Sequence, residues 1–178
     1  MEATFDLRPH QLAIVIGVDR KIQHFIDSIA PDDARTRLRL RFHDFLRGIT
    51  GRYPVDLICE QAQHGAESIA ETLADRERIR YRNIDMPPRR RAELGIPPVD
   101  TIDVPGSEIT PEQLAQWNAL RESHMVQELL AAIAGARAII VICDVNHMPV
   151  FAQALSTKFA RVERFDVTRL EWFDKTLL

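Results

Sequence analysis

The chain has 178 residues, 46% hydrophobic and 28% charged, a composition expected of a globular domain with a core of its own. A net charge of −3 argues against a protein built mainly to grip nucleic acid backbone, and no apolar run approaches the roughly 20 residues that span a bilayer. Met1 to His10 carries acids and no apolar stretch of the signal-peptide kind, so the expected compartment is the cytoplasm. Cys59 and Cys143 each close an apolar run and are expected to be reduced core residues rather than a disulfide.

Leu12 to Ile16 is a short, largely β-branched run ending at Gly17, which predicts a buried strand. Pro31-Asp32-Asp33 opens a helix, with acids at the positive end of its dipole. Leu38, Phe42, Phe45 and Ile49 mark its inner face, the arginines at 35, 37, 39 and 41 its solvated side, and Gly48 and Gly51 its stop. Val55 to Cys59 predicts a second strand ending on Glu60. Gly65 to Arg80 predicts a helix with Ile69 and Leu73 inward, and Tyr81 to Ile84 a weak third strand ending on Asp85.

Residues 86–110 carry five prolines and three consecutive arginines. They read as a long loop, either a surface connection or a lid over a site. Thr110-Pro111-Glu112-Gln113 is a capping box with proline at the first helical position, and the helix it starts should run to about Gly135. Ala138 to Ile142 predicts a fourth strand, Pro149 to Lys158 a short helix, and Val162 to Phe165 a fifth strand. Strands alternate with helices, and the strand runs are continuously apolar. The expected fold is therefore α/β: one three-layer domain over residues 1–178, with a mostly parallel sheet of about four to five strands and helices on both faces.

In such folds ligands bind outside the carboxyl ends of the strands. Asp19 and Arg20 follow the first strand, Glu60 the second, Asp85 the third, and Asp144, Asn146 and His147 the fourth. The long helix adds Arg121 and Glu122. Ala115, Ala119, Val126, Leu129 and Ile133 form a stripe in which Glu122 fills the gap, with Arg121 on the shoulder shared by Leu114 and Met125. A carboxylate in an apolar stripe implies a partner. It reads either as a structural ion pair or as a group facing Glu60 or His147 at the sheet edge. His124 lies near the same shoulder. His10, His24, His43 and His64 have no partner motif and read as surface or capping residues.

The segments IVIGVDRKIQ (14–23), DLICEQ (56–61), YRNID (81–85), RESHM (121–125) and IVICDVNHMPVFAQAL (140–155) occur in an order that resembles the superfamily of TraB/GumN proteins, Tiki proteases, ChaN-like lipoproteins and erythromycin-esterase-like proteins. That pattern is Gly-x-x-His, a strand ending in Glu, an Arg-Glu-x-x-Met helix and a second Gly-x-x-His. The resemblance spans about residues 12–155 and assigns Glu60, Arg121, Glu122 and His147 to the catalytic positions. Two positions depart from it: Arg20 stands where the first His is expected, and Asp144 where the second Gly is expected.

The resemblance implies the fold and the place of the site; the first reading of these residues is a hydrolase, metal-assisted or not, with His147 or Glu60 as general base and Arg20, Asp85 and Asn146 toward the substrate. His147, Glu60, Asp144 and Asp19 are the donors for a divalent ion, and with one histidine among carboxylates the set suits Mn or Mg better than Zn. The two departures favour another class, a non-catalytic module binding an anionic small molecule or peptide through Arg20 and Arg121. A third class is nucleic-acid processing along Arg76, Arg78, Arg80, Arg82 and Arg89 to Arg91. Glu77 and Asp85 among those arginines count against it. No membrane partner is expected, and a homo-oligomer is left open.

Overall fold

The computed structural model describes residues 11–24, 34–97, 109–174 and 176. Five strands, β1 (Leu12–Val18), β2 (Leu57–Glu60), β3 (Arg80–Asn83), β4 (Ala138–Asp144) and β5 (Arg161–Asp166), form one sheet in the order β3-β2-β4-β1-β5. Every pairing is parallel. β1 and β4 are the central pair, in register from Leu12 opposite Ala138 to Val18 opposite Asp144. Covered on both faces, they read as continuous apolar runs.

Side chains alternate across each strand, so the sheet divides the core in two. On one face Ile14, Ile16, Ile58, Ile140 and Ile142 pack under α2 (Ala34–Thr50) and α3 (Ile69–Glu77), through Leu38, Phe42, Leu46 and Leu73. On the other, Val15, Cys59, Ile139, Val141 and Cys143 pack under α5 (Pro111–Ala132) and α6 (Met148–Ser156), through Met125, Leu129, Phe151 and Leu155. Two short helices, α1 (Arg20–Gln23) and α4 (Pro88–Glu93), follow β1 and β3. The expected three-layer α/β domain is what the described chain forms. Both cysteines are free and buried.

Connections on the first face step along the sheet in one direction, β1 to β2 to β3. Those on the second step the other way, β3 to β4 to β5. That is the pattern a single crossover hand requires. The connections leaving β2 and β4 therefore diverge, which makes the carboxyl ends of these two neighbours the switch point of the sheet.

Several local expectations are corrected. Residues 86–110 are not one loop: Pro88 starts α4, and Met86 and Ile96 are buried. Residues 98–108, and Pro31 to Asp33 at the expected start of α2, lie outside the described residues. α2 runs through Gly48 to Thr50, and Leu46 rather than Phe45 is fully buried on its inner face. Arg39 belongs to the buried side, where its Nη2 donates to the Lys21 carbonyl at 3.0 Å. α5 buries Arg121, Met125 and Leu129, while Ala115 and Ala119 are exposed. Its buried stripe is thus centred one residue earlier than the periodicity suggests, because only the part from Arg121 onward packs on the sheet.

Candidate functional site

The buried stripe of α5 begins with a cation. Arg121 stands over Asp85, which follows β3, with Nη2 at 3.1 Å from Oδ1 and 3.3 Å from Oδ2. From α4, Arg91 Nη2 reaches the same carboxylate, 2.5 Å from Oδ2. The Met86 amide donates to Oδ1 at 2.8 Å, and the His64 ring contacts the Asp85 carbonyl at 2.9 Å. Asn83 stitches this turn to the end of β2: its Oδ1 accepts from the amides of Asp85 and Ala62, and its Nδ2 donates to the Ala62 carbonyl. Two guanidiniums thus share one carboxylate, with side-chain exposures of only 13% for Arg91 and 5% for both Arg121 and Asp85. The Arg91 guanidinium is held below its usual pKa. Burial is the chief cause, and Arg121 and Arg20 act in the same direction against the attraction of Asp85.

The next residue on α5 makes the second pair. Glu122 Oε1 accepts from His147 Nδ1 at 2.7 Å. Local structure fixes His147. β4 ends at Asp144, whose Oδ1 caps a 3-10 turn by accepting from the Asn146 amide at 3.0 Å, and His147 closes that turn at the start of α6. Met148 then packs onto β1 at Gly17, where a Cβ would overlap its thioether and come within 3.1 Å of the Val145 Cα. Gly17 is therefore needed for close approach of the β4–α6 turn. A carboxylate can only accept, so Nδ1 carries the proton and Nε2 is the basic nitrogen of the neutral ring. Nε2 has no partner among the described residues and is not among their buried orphan atoms, so it reaches the surface.

Glu60 does not join this corner. It shares a strand face with Ile58, on the α2/α3 side of the sheet, and is fully buried. Ser68, the N-cap of α3, donates to its Oε2 at 2.5 Å, and the Tyr81 hydroxyl donates to the same oxygen at 2.7 Å. Gln23 Nε2 lies 3.4 Å from Oε1. Burial pushes the Glu60 carboxyl up to about 7, and the hydrogen bonds from Ser68, Tyr81 and Gln23 only partly offset it. Its neighbour Gln61 turns toward β4, where its Oε1 accepts from the Asp144 amide at 3.0 Å.

The remaining expected residues lie further along the edge. Arg20 Nε is 3.9 Å from Asp144 Oδ2. Asp19 Oδ1 caps α1 by accepting from the Lys21 amide. Asp19, Asp144 and Asn146 line a shallow depression of about 480 Å³ with Val18, Lys21, Val145 and Thr168. A second depression of about 450 Å³ lies at the amino ends of β1 and β4, away from every candidate residue.

The expected donor set His147, Glu60, Asp144 and Asp19 is not assembled. His147 faces Glu122, Glu60 lies on the opposite face of the sheet, and Asp144 and Asp19 cap their own turns. Among the described residues no three His, Cys, Asp or Glu side chains converge as a metal requires. The arginines proposed as a phosphate track are mostly paired: Arg82 with Glu128 at 2.6 Å, and Arg89 and Arg90 with Glu93. His124 is partly exposed, His43 pairs with Asp44, His24 accepts from the Gln63 amide at 3.4 Å, and His10 is outside the described residues.

Sequence reasoning missed Arg91, His64 and Gln61 as parts of the corner. The only signal for Arg91 was an arginine six residues after a strand-ending aspartate, on a turn started by proline. No family model matches the chain, and neither curated proteins nor solved structures gave a match. No helix among the described residues is long and apolar enough to cross a membrane.

Proposed function

We propose that the chain is a hydrolase acting on an anionic small molecule, with its site at the carboxyl ends of β2, β3 and β4. The observation that carries this reading is the 2.7 Å contact of His147 Nδ1 with Glu122, next in sequence to an arginine bound to a buried carboxylate. A carboxylate on Nδ1 orients the imidazole and stabilises the imidazolium it becomes, leaving Nε2 to act as a general base. Nε2 takes a proton from water as the water oxygen bonds to the electrophilic centre. The bond to the leaving group breaks, and the same proton is returned to that group. Arg20, Arg91 and Arg121 supply positive charge for the anionic substrate and for the negative charge that develops on it. Glu60, closed off on the other face, frames the end of β2 and takes no part in the proton transfer.

The sequence resemblance to the TraB/ChaN superfamily supports the reading at Arg121, Glu122 and His147, the residues of this corner. Glu60 matches the acidic position of that pattern, but its burial on the other face of the sheet argues against it as the base. A second reading, a non-catalytic module for an anionic ligand, is favoured by the surplus of guanidinium over carboxylate around Asp85.

The test is turnover of carboxylic, phosphate and peptide chromogenic substrates by the wild-type chain, His147→Ala and Glu122→Gln. His147→Ala should lower kcat by about 10²- to 10⁴-fold with KM changed by only a few fold. Glu122→Gln should lower kcat in the same direction. Wild-type kcat in His147→Ala would remove the histidine from the mechanism. No turnover of any class, with an anion still bound, would leave the binding module.

A further inference from the structure

The Asp85 cluster holds more cation than its carboxylate neutralises. Arg91 and Arg121 bring two positive charges, and among the described residues Asp85 is the one carboxylate either of them contacts. A one-to-one pair would satisfy the carboxylate. A second desolvated guanidinium is costly unless another anion compensates it. Each arginine contacts Asp85 through Nη2 alone, and the buried Nε of each has no hydrogen-bond partner among the described residues. The end of β2 shows the same incompleteness. Gln61, 2% exposed, uses its carbonyl oxygen on the Asp144 amide, while its buried Nε2 has no partner among the described residues. Asn83 ties the turn bearing Gln61 and Ala62 to the turn bearing Asp85, the carboxylate on which both arginines close.

We propose that Arg91, Arg121 and the Gln61 amide form a subsite for the phosphoryl group of a small phosphate ester, with Asp85 as the internal anion that occupies the guanidiniums until the ester arrives. The donors come from three elements: the end of β2, α4 and α5. Donors arriving from separate directions suit a tetrahedral oxyanion with several acceptor oxygens. A planar carboxylate needs one fork, and Asp85 is already such a group. Arg20, whose charge also acts on Arg91, adds positive potential at the rim. The inference rests on the hydrolase reading for its place beside His147, and it names the substrate class.

The experiment is titration calorimetry of the purified chain with inorganic phosphate and, separately, acetate, at low ionic strength. It is repeated on Arg91→Ala, Asp85→Asn and His147→Ala, with circular dichroism to verify folding. Phosphate should bind saturably and acetate at least about tenfold more weakly, and Arg91→Ala should weaken phosphate by about tenfold or more. Asp85→Asn removes the internal competitor and should tighten phosphate several-fold, whereas a purely structural Asp85 would weaken it. If Asp85→Asn does not fold, Arg91→Ala alone decides, because that side chain lies nearer the rim. Absence of phosphate binding up to about 10 mM, equal binding of acetate, or an unaffected Arg91→Ala would each overturn the proposal. His147→Ala should keep phosphate binding. Phosphate binding without turnover in the wild-type chain would sink the hydrolase reading and leave the subsite, and turnover without phosphate binding would do the reverse.

Discussion

Glu60 and Asp85 stand at the carboxyl ends of the neighbouring strands β2 and β3, exposed by 0% and 5%, and the protein treats them in opposite ways. Asp85 faces α4 and α5 and is met by two guanidiniums. Glu60 faces α3 and is met by two hydroxyls and an amide, all neutral. Neutral donors do not repay the loss of hydration of a full charge, so burial raises the Glu60 carboxyl into the neutral range. One strand position and one sheet face separate a carboxylate that organises cations from one that resists ionising.

The largest expected effect that sharpens the contrast is on Arg121. Arg121→Ala removes a buried side chain with its charge-assisted hydrogen bonds and opens a hole under α5, and should destabilise the chain by about 3–5 kcal/mol in urea unfolding. A loss below about 1 kcal/mol would mean that Arg91 and water hold Asp85 equally well, and the contrast would weaken.

The next effect belongs to Glu60 and pH. Its native value of about 7 lies above the ordinary 4.5. Between these the native state keeps a proton that the unfolded chain releases. The stabilisation is complete below 4.5, falls as pH rises and is gone above about 7. At about 1.4 kcal/mol per pH unit, the loss across that window is about 3 kcal/mol. Glu60→Gln, which cannot ionise, should flatten the difference between unfolding at about pH 5 and at about pH 8. An unchanged slope in Glu60→Gln would assign the dependence to other groups.

The smallest effects concern the donors around Glu60. Ser68→Ala removes both the α3 cap and the 2.5 Å bond to Oε2, and should cost about 1–2 kcal/mol. Tyr81→Phe should cost about 1 kcal/mol. Both losses should be greater at about pH 8 than at about pH 5, because a hydrogen bond to an ionised carboxylate is the stronger one. Equal losses at the two pH values would mean that Glu60 does not change charge in that range.

Much of the framework could be read directly. The continuous apolar runs of β1 and β4 announced buried parallel strands, and the Thr110–Gln113 capping box forms in full. The ionisable strand ends were visible, and so was the pairing of Glu122 with a group at the sheet edge. The convergence of Glu60 with them was not correct. Side-chain parity puts Glu60 on the face of Ile58, but which helices cover that face depends on the strand order. α4 was hidden because a six-residue helix has little stability of its own, and the Arg91–Asp85 contact helps hold it. The buried stripe of α5 was displaced because periodicity gives the direction of an apolar face, not where along its length a helix leaves the sheet.

Strand and helix positions, the alternation that makes the domain α/β, and the row of polar residues at the strand ends are properties of local sequence, because they depend on the period and identity of near neighbours. The order β3-β2-β4-β1-β5, the depression beside β4, the two-to-one clamp on Asp85 and the closed pocket of Glu60 are tertiary. The clamp and the pocket join residues 6 to 37 positions apart that meet only when the sheet is assembled. Whether a buried carboxylate finds a guanidinium or a hydroxyl there decides whether it keeps its charge.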